Sequence, residues 1–106
     1  MPTIRKKDGI FTLINVFTVA PGQQDRLVDL LVDATERTMK NLPGFVSASI
    51  HRGADGRRVV NYAQWRSRGD FEAMRANPEA KTHMQAAAAI ATFDPIACEV
   101  AESVEA

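Results

Sequence analysis

The ten-residue run Ile10 to Val19, IFTLINVFTV, limits what this chain can fold into more than any other segment. It is rich in β-branched and aromatic residues and lacks Gly and Pro, as a strand requires. Side chains alternate faces along a strand, so Phe11, Leu13, Asn15, Phe17 and Val19 share one face and Ile10, Ile14 and Val16 the other. Both rows are largely apolar. Helices packed on a sheet bury only one of them, and burying a large apolar side chain is worth ~1.5–3 kcal/mol. A second exposed row of that size is an association hazard. The simplest cover is a second copy of the chain, the two sheets closing face to face around an interior in a two-fold homodimer.

The rest of the chain supplies the other elements. Ala20-Pro21-Gly22 ends the first strand, with Pro suited to a first helical turn. From Gln23 to about Lys40, Leu27, Leu30, Leu31, Ala34 and Thr38 recur at helical spacing, and Asn41-Leu42-Pro43-Gly44 stops the helix. Phe45 to Arg52 and Arg57 to Arg66 read as two strands joined by Gly53-Ala54-Asp55-Gly56, which carries the Asp-Gly signature of a hairpin. Ser67, a suitable N-cap, opens a short helix through Ala76. Asn77-Pro78 interrupts it, and a helix resumes from Glu79 to about Ala91. Phe93-Asp94-Pro95 reads as a break before a last strand, Ile96 to Val104. The order β-α-β-β-α-β is an α+β ferredoxin-like plait with an antiparallel sheet. Residues 1–9 are expected to form a flexible N-terminal arm and residues 10–106 a single domain.

Composition narrows the function. The chain has 106 residues, a domain-sized length, and its thirteen basic and thirteen acidic side chains cancel. That balance carries no footprint for nucleic acid or an anionic membrane and points to small molecules or other protein chains as partners. The single cysteine, Cys98, allows no internal disulfide and no CxxC metal site, and in a late strand it reads as core. With no signal-peptide pattern and no run long enough to span a membrane, the expected location is the cytoplasm.

The stretch VVNYAQWRS, Val59 to Ser67, carries the chemistry. Alternation puts Val59, Asn61, Ala63 and Trp65 on one face and Tyr62 on the other. An amide and an indole N–H beside Val and Ala need partners when buried, and a ligand with carbonyl or hydroxyl groups supplies them. The plain alternative is a packed Trp65 and an internally bonded Asn61. Asn15 interrupts its apolar row in the same way, next to Phe17. Of the two histidines, His51 ends a strand beside a turn and reads as solvated. His83, in the second helical region beside Met84, is the acid–base candidate, with a half-buried structural histidine as its alternative. Two distant histidines and one cysteine make no zinc set, and no glycine-rich phosphate loop or Ser-His-Asp signature is present.

The helix-ending LPGFVSASIH, the Asp-Gly hairpin and above all VVNYAQWRS resemble the antibiotic biosynthesis monooxygenase (ABM) family, with most likeness to its actinorhodin-pathway quinone-forming branch. The likeness runs from about Ile10 to Val104. It implies a dimeric α+β barrel with one cavity per subunit. The implied chemistry converts an anthrone-like polycyclic phenol to a quinone with O2 as co-substrate and no flavin, heme or metal. By the same resemblance, Asn61 and Trp65 match the branch's asparagine and tryptophan, which hydrogen-bond substrate oxygens. The branch's tyrosine falls at Phe71 and its arginine near Met84, beside His83, so two of four polar groups are absent or replaced. Asn61 and Trp65, which the resemblance matches, and His83, for its own acid–base chemistry, are the catalytic candidates, and Asn15, Phe17, Phe71, Met74 and Met84 the substrate-binding ones. The chain also resembles, more distantly, the heme-degrading monooxygenases of this fold. Asn15 and His83 match two of that branch's residues, but Met74 stands where its tryptophan would ruffle the heme. A non-catalytic ligand-binding dimer is the third reading.

Overall fold

The structure is a computed structural model and describes residues 9–106; the expected arm at 1–9 lies, apart from Gly9, outside the described residues. Four strands form one antiparallel sheet: β1 (Phe11–Val19), β2 (Phe45–Arg52), β3 (Arg58–Trp65) and β4 (Ala91–Cys98), in the order β2-β3-β1-β4. Three helices, α1 (Gln24–Arg37), α2 (Arg68–Ala76) and α3 (Pro78–Ala88), pack on one face, and a short 3-10 turn (Met39–Asn41) follows α1. This is the α+β ferredoxin-like plait.

Local sequence explains the element ends. Pro21 lies in the turn before α1 rather than in its first turn. Gln24 anchors the start of α1 by donating from Nε2 to the carbonyls of Gly53 (2.8 Å) and Arg58 (2.9 Å) at the hairpin. Ser67 caps α2, its hydroxyl accepting from the Asp70 N–H at 3.0 Å. Asn77 stays extended, as a residue before proline prefers. Its Oδ1 accepts from the N–H groups of Glu79 and Ala80, which starts α3 at Pro78.

The end of the chain departs from expectation. The last strand spans Ala91–Cys98, not Ile96–Val104, and α3 stops at Ala88. Phe93-Asp94-Pro95 is strand rather than break, because β4 is an edge strand and an edge tolerates a residue with no N–H. Cys98 is half-buried at the end of that edge rather than in the core. The opposite edge, β2, carries an irregularity between Phe45 and Ser47.

Register fixes the faces. Across β1 and β3, Phe11 pairs with Trp65, Leu13 with Ala63, Asn15 with Asn61 and Phe17 with Val59, and this row faces the helices. The core on that side is in two clusters. One joins Phe17, Val19, Leu27, Val59 and Ala87; the other joins Trp65, Phe71, Met74 and Ala80. Between Phe17 and Leu13 on β1, and between Val59 and Ala63 on β3, stand the two asparagines.

Candidate active site

The paired asparagines mark a seam in the core, and a cavity lies beside it. Its volume is about 100 Å³, and its walls include Asn15 and Phe17 of β1, Leu31 and Ala34 of α1, His83, Met84 and Ala87 of α3, with Met39 and Phe93. It lies between the helices and the sheet of one chain, open on one side. The expectation that two facing sheets of a dimer would form the chamber is therefore corrected: the chamber is on the helix face.

Directly paired residues on one sheet face bring their Cβ atoms to about 4.5–5.5 Å, so the Asn15 and Asn61 carboxamides are neighbours. The Oδ1 of each is buried and has no hydrogen-bond partner among the described residues. Leaving such an acceptor unpaired costs about 1–3 kcal/mol. Thr12 Oγ1 and Gln64 Nε2, paired on the opposite face, are likewise without a partner among the described residues, and what sets the asparagines apart is the cavity beside them, where a ligand could donate to their oxygens.

His83 reaches the cavity through the phase of α3. With Asn77 setting the first turn, Ala80, His83, Met84 and Ala87 fall on one stripe, and Ala80 and Ala87 are buried. The His83 Nε2 lies 2.9 Å from the Oγ1 of Thr38, the residue after α1. Thr38 is 2% exposed. It ends the same stripe as Leu27 and Ala34, which is how its place on an apolar face arises from sequence.

The remaining candidates lie close by but are not cavity walls. Trp65 is 2% exposed and packs edge-on against Phe45, with ring centroids 5.4 Å apart. Phe71 stacks on Phe11 at 4.9 Å, and Met74 is buried in the same cluster. Met84 and Met39 touch that cluster and line the cavity as well, so they connect the two. Sequence reasoning missed Thr38 as a histidine partner, Met39, and Phe93, which is 49% exposed and 5.9 Å from Phe17 by ring centroid. Phe93 was hidden by the misplaced last strand.

The heme reading does not fit these residues. His83 Nε2 is already engaged by Thr38, Met74 is packed in the core, and the cavity is far below the ~300–1,000 Å³ of ordinary ligand sites. A polycyclic ligand also exceeds it as it stands. Two of its walls are methionines, whose unbranched side chains rearrange readily, and Phe93 leaves one side exposed.

A plait whose helix face holds a mostly apolar cavity, two amide oxygens unpartnered among the described residues and a histidine has the makings of a site for a mostly apolar small molecule with a few polar atoms. The chain belongs to the antibiotic biosynthesis monooxygenase family, whose model matches residues 10–86. It is 48% identical over 103 residues to the tetracenomycin-F1 monooxygenase of Streptomyces glaucescens, covering 97% of this chain and 92% of that one. Among solved structures, the monooxygenase ActVA-Orf6 of Streptomyces coelicolor, in complex with nanaomycin D, superposes with a TM-score of 0.82 at 26% identity, covering 91% of each chain. SnoaB of Streptomyces nogalater, a cofactor-independent oxygenase, has the same fold with a TM-score of 0.83 at 23% identity, covering 91% of this chain and 97% of that one.

Proposed function

We propose that this chain is a cofactor-independent monooxygenase that oxidises a polycyclic phenolic or anthrone-like substrate to a quinone with O2, in polyketide antibiotic biosynthesis. The observation that carries the reading is the pair of buried amide oxygens at Asn15 and Asn61, unpartnered among the described residues, beside a cavity that Asn15 and His83 line and that Asn61 adjoins through its pairing with Asn15. A substrate with neighbouring phenolic hydroxyls donates to both. The tetracenomycin-F1 and SnoaB relatives support the chemistry by name.

The reaction balances without a bound cofactor. The ring CH2 of an anthrone loses a proton to His83, and the electron pair stays on the substrate as an enolate. The enolate passes one electron to O2, and the radical pair recombines as a substrate hydroperoxide. Its O–O bond breaks with loss of water to leave the carbonyl. In sum, CH2 and O2 give C=O and H2O. The protein's part is to take the proton, hold the ring and stabilise the oxyanion. Asn61 and Asn15 hold substrate oxygens; Phe17 and Met84 pack on the ring. Trp65, Phe71 and Met74 support the seam from the adjoining cluster. Phe71 offers no hydroxyl and Met84 no charge, so the amides and His83 bear the polar work.

The chain works as a cytoplasmic homodimer. The face away from the helices carries Ile14, Val16, Val60, Tyr62 and Ile96, and Ile96 is exposed. None of the described helices is long and apolar enough to cross a membrane.

Aerobic incubation with an anthrone, followed by quinone absorbance and an oxygen electrode, tests the reading. One O2 consumed per quinone formed, undiminished by chelators, is the expected result. Absence of turnover across a panel of anthrones and naphthacenones would overturn it and favour a binding-only dimer.

A further inference from the structure

We infer that Thr38 is a positioning residue that fixes the His83 ring with Nδ1 unprotonated and free for the substrate. The inference rests on the proposed oxidation, in which His83 takes the proton. Thr38 Oγ1 and His83 Nε2 are 2.9 Å apart, and the hydroxyl is buried at the end of α1, 45 residues away in sequence. Nδ1 has no hydrogen-bond partner among the described residues. A neutral imidazole carries its proton on one nitrogen only, and the partner of one nitrogen sets the state of the other.

A base needs a lone pair on the nitrogen that meets the substrate. Nε2–H therefore donates to Thr38 Oγ1, and Nδ1 is the acceptor. The proton leaving the substrate carbon goes to Nδ1, its electron pair remains in the enolate, and the resulting imidazolium keeps its Nε2–H···Oγ1 bond throughout. Thr38 is otherwise placed like a core residue, on the stripe of Leu27 and Ala34. A valine would fill that space as well, so the hydroxyl is what distinguishes the position.

Two measurements test this. Long-range 15N NMR of the wild-type protein, with His51→Gln to assign the signals, should show His83 in a single neutral form protonated at Nε2. Thr38→Val should average the two tautomers and lower kcat about tenfold to a hundredfold, within the range a positioned general base supplies, with KM changed less than threefold. Thr38→Ser should restore both the spectrum and most of the turnover. A wild-type ring protonated at Nδ1, or a Thr38→Val enzyme as fast as wild type, would overturn the inference. The wild-type spectrum decides the tautomer even if Thr38→Val folds poorly. It also separates the two ideas: a protein that oxidises no anthrone defeats the proposed reaction, whereas the ring nitrogen signals speak to Thr38 alone.

Discussion

Under the proposed function, Asn15 and Asn61 serve the site at a cost to the fold. Each is an amide in an apolar row, and each leaves an acceptor unpaired. Leucine at either position would remove that acceptor and keep similar bulk. Asn15→Leu and Asn61→Leu are each expected to leave the protein as stable or about 1 kcal/mol more stable in urea denaturation, while quinone formation falls at least tenfold. A clear loss of stability in both would mean the amides are internally satisfied. Trp65 should behave in the opposite sense. It fills the core, so Trp65→Ala should cost roughly 3–5 kcal/mol, and Trp65→Phe should lose less stability than the alanine variant. From sequence, the alternation of β3 already placed Asn61 and Trp65 on one face. The pairing of Asn61 with Asn15 was not visible, because it depends on the antiparallel register between strands 46 residues apart. The Thr38 hydroxyl was hidden for a similar reason: its partner comes from another helix.

At the scale of elements, one carboxylate gathers three of the hydrogen bonds that hold the hairpin between β2 and β3. Asp55 accepts from the Arg57 N–H at 2.9 Å and the Arg58 N–H at 3.0 Å, and from Arg58 Nε at 2.6 Å. The Arg57 backbone bond, then the Arg58 side chain, hold its carboxyl at about 2, below the ordinary 3.8. A depressed value means that the charged form favours the folded state. Its contribution is complete above about pH 4 and disappears as pH falls through about 2. The stability gap between wild type and Asp55→Asn, measured by denaturant titration, should therefore be constant at pH 5 to 7 and close between pH 4 and 2. The hairpin and the Ser67 cap were both legible because their signatures are local. The last strand was not. Asp94 and Pro95 are poor strand formers by composition, and only the finding that β4 sits at the sheet edge explains their place in it.

For the whole molecule, the plait order followed from punctuation alone, but the position of the chamber did not. An apolar strand with two apolar faces implied two interiors, and the sequence reading put the chamber in the wrong one, between facing sheets. The structure puts the cavity on the helix side, which leaves Ile14, Val16, Val60, Tyr62 and Ile96 for the proposed partner copy. Sedimentation equilibrium should give twice the chain mass of 11.6 kDa, and Tyr62→Glu together with Ile96→Asp should shift it to monomer. A monomeric wild type would remove the dimer while leaving the cavity in place. The borders of the sheet bear on the same question. Pro95 offers no donor to a newcomer, and the β2 border is irregular beside Val46. Strands cannot readily zip onto either side, so copies of this protein that crowd together will meet flat against flat, and overheated solutions should yield shapeless precipitate instead of ribbons.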